Sequence, residues 1–292
     1  MMKLVLLSAF LLFPAAPAYT AAPENTVAVL SLNGGAYLEA FSAFQATYGG
    51  EVTYYDLSSQ KPVIGGKVKL LVTFGGKAAK YSYPEGINII YCLAPGLEAK
   101  APSREAREVK IALVPAFNVT LARIKQLQPG LKRLRVLWSA PGYAPYEQTV
   151  REEGARQGVQ VTTFRLEGAG SLPGALRSAL GKADALWLPP DPLIVTRENL
   201  LILREFSWEN NIPFYGSTKS MTREGAVASF GISFTEIGKA AARAAATLDS
   251  GGSLPETVFP DKTEITLNAA AARKFGIVFP AAVLDEAGYL FP

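Results

Sequence analysis

ADALWLPPDP (residues 183–192), NNIPFYGSTKS (210–220) and GAVASFG (225–231) decide how this chain folds. Each contains an apolar run too short for a helix and stopped by glycine or proline. A helix-length segment separates the first two, which is how buried strands of a parallel sheet are written in sequence. Ligands of such sheets collect beyond the carboxyl ends of the strands. Here those positions hold Pro189, Pro190, Asp191 and Pro192 after one strand and Gly216, Ser217 and Thr218 after another.

Outward from this stretch the same rhythm recurs. VAVLSL (27–32) predicts a strand turning at Asn33, Gly34 and Gly35 into a helix with Tyr37, Leu38, Phe41 and Phe44 at helical spacing. EVTYYDL (51–57), KVKLLVTF (67–74), INIIYCL (87–93) and VKIALVP (109–115) read as further strands. A second series begins with RLRVLWS (133–139) and runs through alternating helices and strands to 231, so two successive α/β lobes are expected. Asn118 can cap the helix 119–127, and it also begins an Asn-Val-Thr glycosylation triplet, to which we give less weight. Ser233 and Glu236 fit a capping box that opens an alanine-rich helix ending at Gly251 and Gly252. A strand TEITL (263–267), a helix capped by Asn268 and a short helix over 283–286 complete the expected elements.

Composition narrows the chemistry. The 292 residues are 49% hydrophobic, enough for a substantial core, and two lobes suit the length better than one. There is no histidine, which removes the usual general base, the Ser-His-Asp and Cys-His arrangements and nearly every zinc site. No Gly-x-Ser-x-Gly turn is present, so a hydrolase would need an unusual mechanism. We therefore expect no enzyme, no cofactor and no metal. The single cysteine, Cys92, lies in an apolar run and reads as buried and inert. The net charge of +4 is slight, and acids interleave with bases except at Lys132, Arg133 and Arg135, so no nucleic-acid partner is expected.

Lys3 followed by LVLLSAFLLF (4–13) and an Ala16-x-Ala18 pattern predicts a cleaved secretory signal over 1–22. The apolar run is too short to span a bilayer. With no cysteine at the cleavage point for lipid attachment, a free periplasmic protein is expected.

WLPPDPLIVTRENL (187–200) followed by NIPFYGSTKSMTREGAVASFGISFTEIGKAAARAA (211–245) resembles the substrate-binding proteins of one ABC-transporter group, which includes binders of aromatic amino acids. AARKFGIVFPAAVLDEAG (271–288) is similar to that group's tail, and the likeness covers residues from 118 to the C-terminus. It implies an α/β, two-lobed type I periplasmic binding fold, each lobe a mostly parallel sheet flanked by helices, with hinge closure over a ligand. Residues 23–117 plus 232–252 would form one lobe, and 118–231 plus 253–292 the other, with the placement of 253–292 left open. The implied function is capture of a small ligand, an amino acid or aromatic compound, by a monomeric receptor serving an ABC permease. The alternative is a ligand-sensing subunit of a signalling system.

Carried across, the binding loops place Asn33, Gly34, Tyr37, Phe74, Gly75, Gly76, Phe117, Tyr143, Asp191, Ser217, Thr218 and Phe234 as candidate ligand-binding residues. Most of the aromatic rings should pack in the core and one or two should stack on ligand. Asp191, stiffened by prolines on both sides, can accept from a ligand ammonium or cap the helix beginning near 194–196, and the ligand role is preferred. The helix start at Gly75 and Gly76 lacks the spacing of a nucleotide loop, since Leu71 and Ala78 stand where it needs Gly and Ser or Thr. Its amides could still hold a carboxylate. Burying a ligand ring of about 200 Å² contributes about 5 kcal/mol, whereas micromolar binding needs about 8. Charged hydrogen bonds must supply the rest, and an amino-acid zwitterion would suit one acid, helix-start amides and the Ser217 and Thr218 hydroxyls.

Three features depart from the group. No helix is expected within SSQKPVIGG (58–66), so the first lobe is shortened. Phe74-Gly75-Gly76 replaces a Thr-Pro-Ser type of turn, and Gly216 or Ser217 stands where an acid is often found.

Overall fold

A computed structural model describes residues 25–95, 97, 106–139 and 146–292. The expected signal segment and Tyr143 lie outside these residues.

The first sheet is built from β1 (Thr26–Leu30), β2 (Thr53–Asp56), β3 (Leu70–Phe74), β4 (Asn88–Cys92) and β5 (Glu108–Ile111), in the order β2-β1-β3-β4-β5 and all parallel. Every residue of β1 and β3 is buried, because both faces of the sheet are covered. Alternate side chains feed two cores. Ala28, Leu30, Leu70, Val72 and Phe74 join Phe41 and Phe44 of α1 (Gly35–Tyr48) on one face, whereas Val27, Val29 and Leu71 join Tyr91, Ala78 and Ala79 on the other. Cys92 is fully buried in the first of these cores, and burial pushes its thiol far above the ordinary value, so the free cysteine is inert.

As expected, no helix intervenes between β2 and β3. The helix after β3, α2 (Gly76–Ala79), is a single turn.

The second series repeats the first. After α3 (Phe117–Leu127) come β6 (Arg133–Trp138), α4 (Tyr146–Arg156), β7 (Gln160–Arg165), α5 (Leu172–Arg177), β8 (Ala185–Trp187), α6 (Arg197–Asn210), β9 (Phe214–Tyr215), α7 (Lys219–Arg223) and β10 (Ala228–Gly231). Strand order is β7-β6-β8-β9, again parallel, and a parallel bridge between Gly216 and Ser229 carries the sheet on to β10. The two lobes thus share one winding, β10 occupying in the second the place of β5 in the first.

The chain then returns. α8 (Phe234–Asp249) packs on α1 in the first lobe, and β11 (Thr257–Val258) pairs with β5 at the edge of the first sheet. β12 (Glu264–Asn268) pairs antiparallel with β10 in the second sheet, followed by α9 (Ala269–Lys274), α10 (Ala281–Glu286) and a strand not foreseen, β13 (Ala287–Phe291), parallel to β12. Residues 257–258 lie at the edge of the first sheet, and the chain joins the second sheet at β12.

Local signals resolve unevenly. Asn268 caps α9 through Ala271 N at 2.8 Å, and Thr196 caps α6. Ser233 Oγ accepts from Glu236 N at 3.2 Å, but the Glu236 carboxylate pairs with Lys239 instead of reaching back, leaving half a capping box. Asn118 is not a cap: α3 starts one residue earlier, at Phe117, with Ala116 before it.

The docking of α8 on α1 depends on small residues. A Cβ on Gly238 would lie 2.0 Å from the Ala40 carbonyl oxygen, so only glycine allows the backbones this close. At the other end of the pair, the Tyr48 hydroxyl donates to Asp249 and lies 2.9 Å from the Thr26 hydroxyl. Gly238→Val should therefore cost about 2–3 kcal/mol, because the obstacle is backbone and cannot swing aside. Gly130→Ala, where a Cβ meets nothing within 4 Å, should stay within about 0.5 kcal/mol of the parent. Urea midpoints of the two variants check this contrast.

Candidate ligand-binding cleft

The carboxyl ends of both sheets face a common cleft of about 550 Å³, within the range of small-molecule sites. From the first lobe come Ala36 and Tyr37 after β1, Gly76, Lys77 and Lys80 on and just after α2, Leu93, Ala94 and Pro95 after β4, and Leu113 after β5. The second lobe contributes Pro190, Pro192 and Leu193 after β8, and Ser217 and Thr218 after β9. Ile232, Phe234 and Ile237, on the segment passing from β10 into α8, complete the wall. Every one of these loops follows the carboxyl end of a parallel strand, as the fold rule requires.

Tyr37 is set by Gly75. That glycine has φ +104, and a Cβ there would meet Ser31 Oγ at 2.5 Å and the Tyr37 ring at 2.7 Å, so glycine is demanded by both conformation and space. Ser31 Oγ in turn accepts from Ala78 N at 2.9 Å. The opposite wall is equally close-packed: a Cβ on Gly231 would lie 2.3 Å from the Ser217 carbonyl oxygen. Leu93, a non-glycine residue at φ +53, holds a sparsely populated conformation that turns the chain at the end of β4.

Of the candidate residues, Tyr37, Gly76, Ser217, Thr218 and Phe234 line the cleft together. Phe74 and Phe117 do not. Phe74 is packed edge-on against Phe41 and Phe44 at 5.8 and 6.0 Å, and Phe117 lies against Tyr146 and Trp187 at 6.3 and 5.3 Å, each in the core of its own lobe. Asn33, Gly34 and Gly75, in the turns after β1 and β3, are not lining residues.

Asp191 does not line the cleft either. It is 0% exposed, with Oδ2 accepting from Ser139 N at 2.5 Å and Oδ1 from Leu193 N at 3.0 Å. Its carbonyl accepts from Ile194 N and Val195 N. The acid thus fastens the loop after β8 to the loop after β6, and the flanking prolines, not the carboxylate, face the cleft. Nor does it cap α6, which Thr196 does.

The other polar groups are similarly engaged. Ser217 Oγ donates to the Leu188 carbonyl at 2.6 Å, and Thr218 Oγ1 accepts from Met221 N at 3.4 Å. At the start of α2 the Ala78 amide, one of those expected to face a carboxylate, is taken by Ser31.

Sequence reasoning passed over Lys77 and Lys80. They are three residues apart, hence on one face of the turn, and the spacing was visible in GGKAAK.

With the geometry in place, comparison with known proteins decides the family. A sequence model described as ABC transporter substrate binding protein matches residues 115–290, more than half of the chain. The chain belongs to that family. This is a binding class, not a catalytic one. A tyrosine-binding protein from Clostridioides difficile (strain R20291) is 28% identical over 158 residues, which are 52% of this chain and 45% of that protein; the chain thus matches less than half of that relative's length. A Streptococcus pneumonia ABC domain solved in complex with L-Trp superposes with TM-score 0.64 at 17% identity, over 92% of this chain and 100% of that one. The ligand-free, open structure of a substrate-binding protein with adhesive properties from Clostridium difficile gives TM-score 0.65 at 17% identity, over 91% and 99%. At these identities the structural likeness establishes the fold, which is the type I periplasmic binding fold.

If Asp191 serves the loops, Asp191→Ala should lower stability by about 2–4 kcal/mol, because two backbone amides lose their acceptor. Asp191→Asn, keeping one acceptor oxygen, should fall between that variant and the parent. Thermal melts of the three proteins without ligand test the assignment, since a residue reserved for ligand would leave them superimposable.

Proposed function

We propose that this protein is an exported receptor that captures a small molecule with an aromatic or similarly apolar body in the interlobe cleft and delivers it to a membrane permease. The observation that carries the reading is the cleft itself, walled from both sheets and from the segment joining them, and dominated by Tyr37, Phe234, Ile232, Leu93 and prolines. Such a wall grips by burial. Phe234 is 40% exposed although it sits where the lobes face each other, as a ring awaiting a partner would be. The family supports the transport role, and the names of the tyrosine- and tryptophan-binding relatives support an aromatic ligand. Among the described residues no helix is long and apolar enough to cross a membrane.

Closure would bring Pro190, Pro192 and Leu193 toward Tyr37 and α2 by bending the passages between sheets. Calorimetry with a panel of aromatic amino acids and related aromatic acids should detect binding, and Phe234→Ala should weaken it about tenfold by removing stacking area. Small-angle scattering should show a smaller radius of gyration with ligand. Absence of binding across the panel, or an unaltered affinity in Phe234→Ala, would overturn the capture reading. Recovery of a kinase or receptor, and not a permease, from detergent-solubilised membranes would overturn the transport role.

A further inference from the structure

The charged groups of the cleft are unbalanced. Among the described residues that line it, Lys77 and Lys80 carry charge and no carboxylate does. Both are exposed, and neither ammonium group makes a hydrogen bond or ion pair with another described residue. Some cations elsewhere pair with acids, as Arg133 does with Asp184, Arg123 with Glu286 and Lys239 with Glu236, but these pairs lie outside the cleft. The acid expected to receive an ammonium, Asp191, is buried and holds two backbone amides.

Resting on the capture reading, we propose that the preferred ligand is an anion: an apolar or aromatic body bearing a carboxylate or comparable acidic group, without a compensating ammonium, paired to Lys77 and Lys80. An ammonium would find no charged acceptor on the described wall and would approach two like charges. A carboxylate offers two oxygens to two ammonium groups on one face of α2, leaving the ring for Tyr37 and Phe234. As the lobes shut, water leaves and the lysine–carboxylate attraction strengthens, so charge selection sharpens in the closed state.

The test uses three compounds with one ring and different charge: 3-phenylpropanoate, L-phenylalanine and phenethylamine. Calorimetry at low and moderate salt should rank them in that order, with the acid roughly tenfold tighter than the zwitterion. Lys77→Gln and Lys80→Gln should each weaken the acid several-fold. The double variant should abolish its salt dependence, with thermal melts of the free proteins unchanged. L-phenylalanine binding more tightly than 3-phenylpropanoate, or an acid indifferent to both substitutions, would overturn the charge assignment while leaving aromatic capture standing. No binding of any of the three at millimolar concentration would overturn both.

Discussion

The close approach of α8 to α1 is the contact on which the rest of the architecture depends. By the end of β10 the chain has built both sheets, and without a further constraint they would be two lobes on one tether. Gly238 removes the one atom that would collide with the Ala40 carbonyl, and the alanines of α8 bury against the same core as Phe41 and Phe44. The helix that follows the second sheet thereby becomes part of the first lobe. That placement forces the chain past the cleft, which is why Ile232, Phe234 and Ile237 line it. It also leaves β11 and β12 on different sheets, so that a third passage of chain joins the lobes.

Strands and lobes were legible in the sequence because buried parallel strands leave little choice of composition. VAVL, LLVTF and NIIYC must be apolar on both faces, and the stops after them must be glycine, proline or a cap. Final elements were less legible. β13 reads as a mixed segment, AGYLF, because it is an edge strand with most residues exposed, and exposure relaxes the pattern that periodicity detects. Asn118 shows the limit of single-residue signals, since a good capping residue two positions too late lies inside the helix.

The site was less legible than the fold, for a different reason. Sequence spacing says which loops meet, but not which side chains the loops consume in holding their own shape. Asp191, Ser217 and Thr218 are the polar residues a reader would assign to a ligand, and the structure binds each of them to backbone. Such loops carry amides and carbonyls that no strand satisfies, and buried polar backbone must be paired. A short polar side chain in a buried loop is first of all a partner for that backbone. Phe74 and Phe117 lie in the cores for the complementary reason: an aromatic ring gains more from a core already lined with rings than from open water.

The shortened first lobe bears on the chemistry of the cleft. With no helix between β2 and β3 and only one helical turn after β3, the wall at α2 has few backbone donors to offer, and one of them is already taken by Ser31. A long helix could present aligned amides and a dipole to a bound anion; a single turn has neither in useful measure. Side-chain charge is then the remaining means of recognising the polar end of a ligand, and on this wall it is supplied by two lysines of the same sign. Flexible ammonium groups hold an anion with less directional demand than fixed amides do. A cleft built this way discriminates by net charge and ring burial more than by the geometry of an amino-acid backbone.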